Sequence, residues 1–258
     1  MPYQNKKIGI VLCGGGVRGL SQIGILASLE EHGIVPDYVS GASIGAVIGA
    51  FYAAGYSPLE MLEISRQSSL IKVFRLSLSR KGLSNLKYLR RILEKHIKSN
   101  TFDALKKKLF ISVSNLNTGR YEIFSEGPLF DAVMASSAVP IVFEPQYING
   151  YVYVDGGLLN NFPIEPLKAH CDKTLGVFVH NHYETKTIDS WGSIVDRCLS
   201  LQLWHNSKNN IDECDFVIEP EKGYGYGVFK KKTDEELFRI GKEKTDEVID
   251  KIRKKLNS

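Results

Sequence analysis

This sequence of 258 residues lacks a cysteine pattern that would indicate an oxidising compartment, and it lacks an apolar run long enough to span a membrane. Its four cysteines are scattered, without a C-x-x-C pair or the spacing of a zinc site, at Cys13, Cys171, Cys198 and Cys214. We therefore expect reduced, mostly buried thiols and a cytoplasmic protein. The longest mainly apolar stretch, residues 46–54, falls far short of the roughly 20 residues that a membrane-spanning helix needs. The sequence predicts no membrane-spanning segment.

Strong net charge is lacking as well. The formal charge of +4 indicates no particular partner, and no nucleic-acid-binding motif accompanies the basic residues. The apolar run after Lys6 and Lys7 ends at Leu12, which is too short for the core of a signal peptide. No Asp/Glu-rich calcium loop is visible, so neither a metal nor another cofactor is expected.

The composition is that of an ordinary globular protein, and strand-like and helix-like segments alternate along it. Strands are predicted at residues 7–12, 37–40, 110–115, 120–124, 151–154, 175–179 and 216–218. Helices are predicted at residues 20–31, 44–54, from residue 58, and at 85–98, 128–136, 194–204 and 235–256. This alternation favours a largely parallel sheet covered on both faces. Because no repeat or linker interrupts it, we expect a single domain over residues 1–258.

The first predicted strand runs into the glycine-rich stretch GGGVRG. Its residues Gly14, Gly16 and Gly19 match G-x-G-x-x-G, which is a weak signature of a dinucleotide-binding turn. That interpretation needs a carboxylate at the carboxyl end of the second strand, about 20 residues on. Asp37 stands at the start of that strand, and GASIG, residues 41–45, occupies its carboxyl end. A serine therefore stands where the dinucleotide interpretation needs an acid.

GASIG between a strand and a helix has the G-x-S-x-G pattern of a nucleophile elbow, a sharp turn that lifts a serine hydroxyl above the sheet. Gly41 and Gly45 leave room for the turn, and the N-terminus of the apolar helix after Ser43 favours negative charge. The alternative is a serine that only caps this helix.

The glycine loop lies at the carboxyl end of the adjacent predicted strand, so we expect it beside Ser43. The backbone N–H groups of Gly14, Gly15 and Gly16 can converge there and stabilise an oxyanion. Arg18 can add positive charge; its alternative role is a surface cation at a helix start. We interpret the loop as a binding site for an anion rather than for a cofactor.

A nucleophilic serine needs a base. Asp155 ends the predicted strand YVYV, and Gly156 and Gly157 after it allow close backbone approach; an ordinary turn aspartate is the alternative. His180 and His182 follow a later strand and fit the order Ser…Asp…His of α/β-hydrolases, so a triad stays open.

With these motifs in place, the chain resembles the patatin-like phospholipases. GGGVRG is similar to their anion-binding loop, GASIG to their nucleophile motif and DGG, residues 155–157, to the motif of their catalytic aspartate. ASSAVPIVFEP and the N-x-P of residues 161–163 are similar too, and the likeness extends from about Ile8 to about Glu219. Alanine at position 42, where threonine is frequent, departs mildly from the family pattern. The resemblance implies a three-layer α/β/α fold.

The resemblance also implies a Ser–Asp dyad in a serine acyl hydrolase of the phospholipase A or lysophospholipase type. Ser43 would attack a lipid acyl ester while Asp155 takes its proton, and Asp155 would then activate the water that hydrolyses the acyl-enzyme. An aspartate with a pKa near 3.9 is a poor base, so either burial must raise its pKa or the glycine loop must stabilise the oxyanion. The alternatives are an acyltransferase or carboxylesterase with a Ser–Asp–His triad, and a nucleotide-binding regulatory protein.

Residues 70–108 are strongly basic. They hold twelve Lys and Arg residues against only Glu94 and Asp103, and apolar residues alternate with the first cations. Such a segment can rest on an anionic membrane and deliver lipid to the site. The alternative is a solvated helix face with a loop. The sequence leaves the oligomeric state open.

Overall fold

A computed structural model describes residues 6–68, 86–180, 184–185, 188–223 and 234–258. The strands are β1 (Ile8–Leu12), β2 (Tyr38–Gly41), β3 (Lys108–Asn115), β4 (Arg120–Phe124), β5 (Gln146–Ile148), β6 (Tyr151–Asp155), β7 (Lys173–Val177) and β8 (Phe216–Ile218). The helices are α1 (Ser21–Glu31), α2 (Ile44–Ala54), α3 (Pro58–Ser68), α4 (Lys87–His96), α5 (Leu129–Ser136), α6 (Glu165–Lys168), α7 (Trp191–Asp212) and α8 (Asp234–Asn257). The sequence predicted all of them except β5 and α6, and it predicted α7 too short.

Within the described residues, eight strands form one mixed sheet in the order β5-β6-β3-β2-β1-β7-β8, with β4 also paired to β3. The pairs β1–β2, β1–β7, β2–β3 and β7–β8 are parallel. The pairs β3–β4, β3–β6 and β5–β6 are antiparallel. The expected parallel sheet is thus present in the centre and at the β8 end, whereas the β5 end is antiparallel.

The short strand β5 and its neighbour β6 form a hairpin whose turn has two residues. Asn149 and Gly150 between them have φ values of 49° and 83°. Positive φ at both positions defines the type I′ turn, which Asn-Gly favours because its twist matches that of the strands. The Asn-Gly pair is the sequence signal by which β5 could have been predicted.

The long strand β3 brings the ends of β2 and β6 together. Ile111 of β3 pairs with Gly41, the last residue of β2, and Val113 pairs with Asp155, the last residue of β6. Both partners lie on the same side of β3, because β4 pairs with its other side along residues 111–115. The carboxyl ends of β2 and β6 therefore meet although the two strands run in opposite directions.

Both faces of the sheet are covered. Gly49 of α2 packs over Val39, whereas the hydroxyl of the next residue, Ser40, donates to the carbonyl oxygen of Pro163 on the opposite face. Buried apolar side chains of the described residues join into one core. Over the same part of the chain, no helix combines the length and the apolar character needed to cross a bilayer.

Much of the basic segment falls outside the described residues, including Lys72, Arg75, Arg80 and Lys81. In the described part, Arg90 forms ion pairs with Glu94 and Asp131, at 2.9 Å and 2.7 Å. Three exposed cations follow one another at intervals of four residues along α4: Lys87, Arg91 and Lys95.

Candidate active site

Ser43 occupies a strained turn between β2 and α2. Its φ of 54° and ψ of −125° are sparsely populated for a residue with a side chain. The Ser43 N–H donates to Oγ of Ser136 at 2.9 Å, and the Ser136 hydroxyl donates to the carbonyl oxygen of Ser112 at 2.7 Å. The Ser43 side chain makes no capping hydrogen bond to α2. The turn is therefore held by the backbone of Ser43, and its hydroxyl is left for another role.

The glycines around Ser43 allow the turn to lie against its neighbours. A Cβ atom at Gly45 would lie 1.9 Å from the carbonyl oxygen of Leu12 in β1. One at Gly41 would lie 2.7 Å from the carbonyl carbon and oxygen of Gly45. Neither position has room for a side chain, which agrees with the pattern expected of a nucleophile elbow.

The glycine loop lies beside Ser43, and Gly14, Gly15 and Gly16 line the same pocket as the serine. The N–H of Gly14 donates to Oδ1 of Asn161 at 3.0 Å, so it is already engaged. No acceptor within the described residues is found for the N–H groups of Gly15 and Gly16. In the described part of the chain, two of the three expected donors are therefore not engaged.

Arg18 and Gly19 follow the glycine loop and contact two different helices, α7 and α2. Arg18 is 3% exposed; its guanidinium forms an ion pair with Asp196 at 3.0 Å and donates to Oγ of Ser200 at 3.1 Å. Both partners lie on α7. Gly19 packs against Ile44, whose Cγ2 would lie 2.3 Å from an added Cβ. Burial excludes the alternative role of Arg18 as a surface cation, and its guanidinium is directed at the carboxylate of Asp196 on α7.

Asp155 is buried at the end of β6 and lines the pocket with Ser43. Its Oδ1 accepts a hydrogen bond from the Gly157 N–H at 2.8 Å. Its Oδ2 has no hydrogen-bond partner of standard geometry in the described residues. Burial raises the pKa of Asp155 to about 7, although the Ser43 hydroxyl and the Gly157 N–H act to lower it. The turn also requires Gly156, because a Cβ there would lie 2.1 Å from the carbonyl oxygen of Ser112.

The pocket that Ser43 and Asp155 share has apolar walls. The space in the pocket and at its solvent-open mouth together amounts to about 570 Å³. Its apolar lining comes from the segments after α5 and β6 and from α7: Val139, Pro140, Leu158, Leu199 and Leu203. The contribution of α7 was missed, since its sequence indicated only a helix. Asn161 was noted only as part of a motif, yet its side chain lies in the pocket and holds Gly14.

None of the five described histidines lines this pocket. His180 is fully buried, and its Nε2 lies 2.7 Å from the carbonyl oxygen of Gly14. Burial, together with the charge of Arg18, lowers the pKa of His180 to about 3. His182 lies outside the described residues. The imidazole of His180 is therefore bonded to the glycine loop and to neither Ser43 nor Asp155.

The site has few features of a cofactor site. Asp37 accepts the Ile8 N–H at 2.9 Å, at the ends of β1 and β2 that lie opposite the glycine loop. Its carboxylate cannot reach a ribose bound at the loop. The described residues contain no cluster of His, Cys, Asp or Glu that could hold a metal ion.

The model of the family "Patatin-like phospholipase" matches residues 10–168, well over half of the chain. The chain belongs to the patatin-like phospholipase family. An uncharacterised protein of Acanthamoeba polyphaga mimivirus is 32% identical over 230 residues, which cover 79% of this chain and 77% of the viral protein. Lysophospholipase NTE1 of Candida albicans is 29% identical over 174 residues, 64% of this chain but only 12% of that enzyme.

The solved structure of VipD from Legionella pneumophila has a related fold. It superposes with a TM-score of 0.58 at 17% sequence identity and covers 95% of this chain, which corresponds to 67% of VipD. At this identity the likeness concerns the fold. The family match places the chain in a phospholipase family, and lysophospholipases are among its relatives.

Proposed function

We propose that this protein is a serine acyl hydrolase that cleaves lipid acyl esters through an acyl-enzyme on Ser43, with Asp155 as its base. One observation carries the proposal: a strained serine and a buried carboxylate with a pKa raised to about 7 share one apolar pocket. A base with a pKa near the working pH is efficient, because it is unprotonated and still accepts a proton readily.

In the first half of the reaction, the Ser43 hydroxyl attacks the ester carbonyl carbon and Asp155 takes the hydroxyl proton. The carbonyl oxygen becomes negative, and the N–H groups of Gly15 and Gly16 donate to it. When the intermediate collapses, the bond to the leaving alcohol breaks and the alcohol takes the proton from Asp155. Water then attacks the acyl-enzyme, Asp155 takes its proton, and the released Ser43 oxygen receives that proton.

The apolar walls of the pocket favour an acyl chain as the group beside Ser43. The related NTE1 protein carries the name lysophospholipase, which supports a lysophospholipid as the first substrate to try. Because the chain spans 12% of NTE1, that activity is a proposal for this protein and not a property taken over from its relative.

We also propose that residues 70–108 contact an anionic membrane at its surface. Support comes from the exposed cations Lys87, Arg91 and Lys95 on one face of α4. Cations near an anionic bilayer each contribute on the order of 1 kcal/mol to binding.

The test of the proposed chemistry uses Ser43→Ala and Asp155→Asn. Ser43→Ala removes the nucleophile, so ester hydrolysis and labelling by a fluorophosphonate probe should both vanish. Asp155→Asn keeps the shape but removes the base, so kcat should fall by about 10²–10⁴-fold with the fold intact. The assays cover p-nitrophenyl esters, lysophospholipids and phospholipids, and circular dichroism monitors the fold.

Asp250→Asn is the matched control, because Asp250 is 93% exposed on α8. It should hydrolyse esters at the wild-type rate. A wild-type protein that neither hydrolyses any of these esters nor labels at Ser43 would contradict the proposal and favour a nucleotide-binding protein. An active Asp155→Asn variant would contradict the role of Asp155 as base.

A further inference from the structure

His180 is a fully buried histidine outside the pocket, and its hydrogen bond determines its protonation. Nε2 lies 2.7 Å from the Gly14 carbonyl oxygen, which can only accept, so Nε2 carries the proton. Nδ1 is then an acceptor, and no partner for it is found in the described part of the chain. The lowered pKa keeps the ring neutral at ordinary pH. His180 is therefore a fixed N–H donor to the glycine loop.

A buried nitrogen without a partner destabilises the fold, because its hydrogen bond to water is lost on folding and is not replaced. An apolar side chain of similar size would fill the space beside Phe178, whose ring lies 5.4 Å from the imidazole, without that cost. Core packing alone does not account for a histidine here. Among the described residues, the hydrogen bond to Gly14 is the contact that requires a histidine.

Gly14 is held at both of its polar backbone groups. Its N–H donates to Asn161 and its carbonyl oxygen accepts from His180. In a trans peptide the carbonyl and the following N–H point in opposite directions, and the described residues contain no cis peptide bond. Fixing the Gly14 carbonyl towards His180 therefore directs the Gly15 N–H away from the imidazole.

The loop needs such a restraint, because three consecutive glycines have more conformational freedom than any other tripeptide. The His180 ring also packs on the loop: an added Cβ at Gly15 would lie 3.5 Å from its Cε1 and Nε2. Donors that stabilise an oxyanion act best when they are already oriented before the reaction.

We propose that His180 is a positioning residue, whose Nε2–H holds the Gly14 carbonyl so that the Gly15 N–H faces the developing oxyanion. This inference rests on the proposed acyl transfer at Ser43. His180 itself exchanges no proton with substrate, Ser43 or Asp155. Its role differs from that of a triad histidine, which takes the proton of the serine.

The variants His180→Leu and His180→Gln separate these roles. Leucine keeps most of the volume without a donor, whereas glutamine places an amide N–H at about the position of Nε2. With a soluble p-nitrophenyl ester, we expect His180→Leu to lower kcat by roughly 10- to 100-fold, below the loss for a deleted oxyanion donor. KM should change less than threefold, and His180→Gln should recover most of kcat. Labelling by the fluorophosphonate probe should follow the same order.

His205→Leu and His205→Gln are the matched controls, because His205 is exposed on α7; both should retain wild-type kcat. A folded His180→Leu with wild-type kcat would overturn the proposal in favour of passive packing. A folded His180→Gln as inactive as His180→Leu would also overturn it, and would favour a triad if Asp155→Asn were active. If the wild type neither hydrolyses esters nor labels at Ser43, it is the proposed function that fails.

A measurement on the wild type covers the case in which His180→Leu does not fold. The ¹⁵N chemical shifts of the His180 ring should report a neutral ring with the proton on Nε2, unchanged between pH 5 and pH 9. A proton on Nδ1, or a titration near pH 6.5, would overturn the proposal.

Discussion

Asp155 combines burial, a raised pKa and one carboxylate oxygen without a hydrogen-bond partner of standard geometry in the described residues. The carboxylate is withdrawn from water at the end of β6, so its charged form is disfavoured and its affinity for a proton rises. A turn aspartate of ordinary pKa would be a much weaker base. At the scale of the residue, burial prepares this carboxylate to accept the proton of Ser43.

This environment predicts the pH dependence of the reaction. The base must be unprotonated, so kcat/KM for a soluble ester should be low at pH 5, rise with an apparent pKa near 7, and level off above it. The measurement is kcat/KM from pH 5 to pH 9, with circular dichroism at each pH. A profile that is flat over this range, as for an aspartate of ordinary pKa, would contradict the role of burial.

At the scale of the element, α7 determines the shape of the pocket. A capping box at Ser190 and Ser193 begins the helix, which continues to Asp212, beyond the predicted residues 194–204. Leu199 and Leu203 face the pocket. The same helix is joined to the loop after β1 by the Arg18–Asp196 ion pair. The helix can therefore line the pocket without belonging to the sheet.

We predict that Arg18→Met and Asp196→Asn both loosen the first half of α7. Amide hydrogen exchange at residues 191–203 should become faster, and KM for a long-chain ester should rise several-fold, since Leu199 and Leu203 are less well fixed. The kcat for a short ester should change little. The double variant should resemble Arg18→Met, because without the guanidinium the Asp196 substitution has no ion pair left to remove.

Asp189→Asn, just before α7, is the control for this experiment and should behave as the wild type. A loss of kcat on the short ester in Arg18→Met, with normal values in Asp196→Asn, would give Arg18 the direct role at the oxyanion that the sequence suggested.

At the scale of the whole molecule, the mixed sheet assembles the site. The sequence pattern offers Asp155 as a base for Ser43, and the structure brings the two residues to one pocket. β6 runs antiparallel to β3, yet it meets the end of β2 because β3 continues past β2. Because β3 pairs with both strands, it brings Ser43 and Asp155 into one pocket although 112 positions separate them in the chain.

Membrane contact is a prediction for the whole molecule. The double charge reversal Arg91→Glu/Lys95→Glu on α4 should weaken binding to vesicles of anionic phospholipid by tenfold or more at low salt, since it changes four charges. Hydrolysis of a small soluble ester should be largely spared. Vesicle co-sedimentation and the ester assay measure the two effects.

The same charge change on another surface, Lys251→Glu/Lys255→Glu of α8, is the matched control. If it weakens vesicle binding equally, only net charge matters and the α4 surface has no special role. Equal losses of vesicle binding and ester hydrolysis in the α4 variant would indicate a folding defect.

The sequence by itself determined the local features of this protein. GASIG produced the elbow and Asn149-Gly150 the hairpin, because glycine and asparagine adopt backbone conformations that few other residues tolerate. The apolar periodicity determined most strands and helices. These properties depend on neighbours in the chain, so the sequence displays them directly.

Only the tertiary structure decided how these features meet. The antiparallel return of β6, the engagement of the Gly14 N–H by Asn161, the pairing of Arg18 with α7 and the bond from His180 to Gly14 all join distant segments. Burial, which raises the pKa of Asp155 and lowers that of His180, exists only once the core has formed. A pattern along the chain specifies which groups are present; the packing of the fold specifies their partners, their solvation and hence their chemistry.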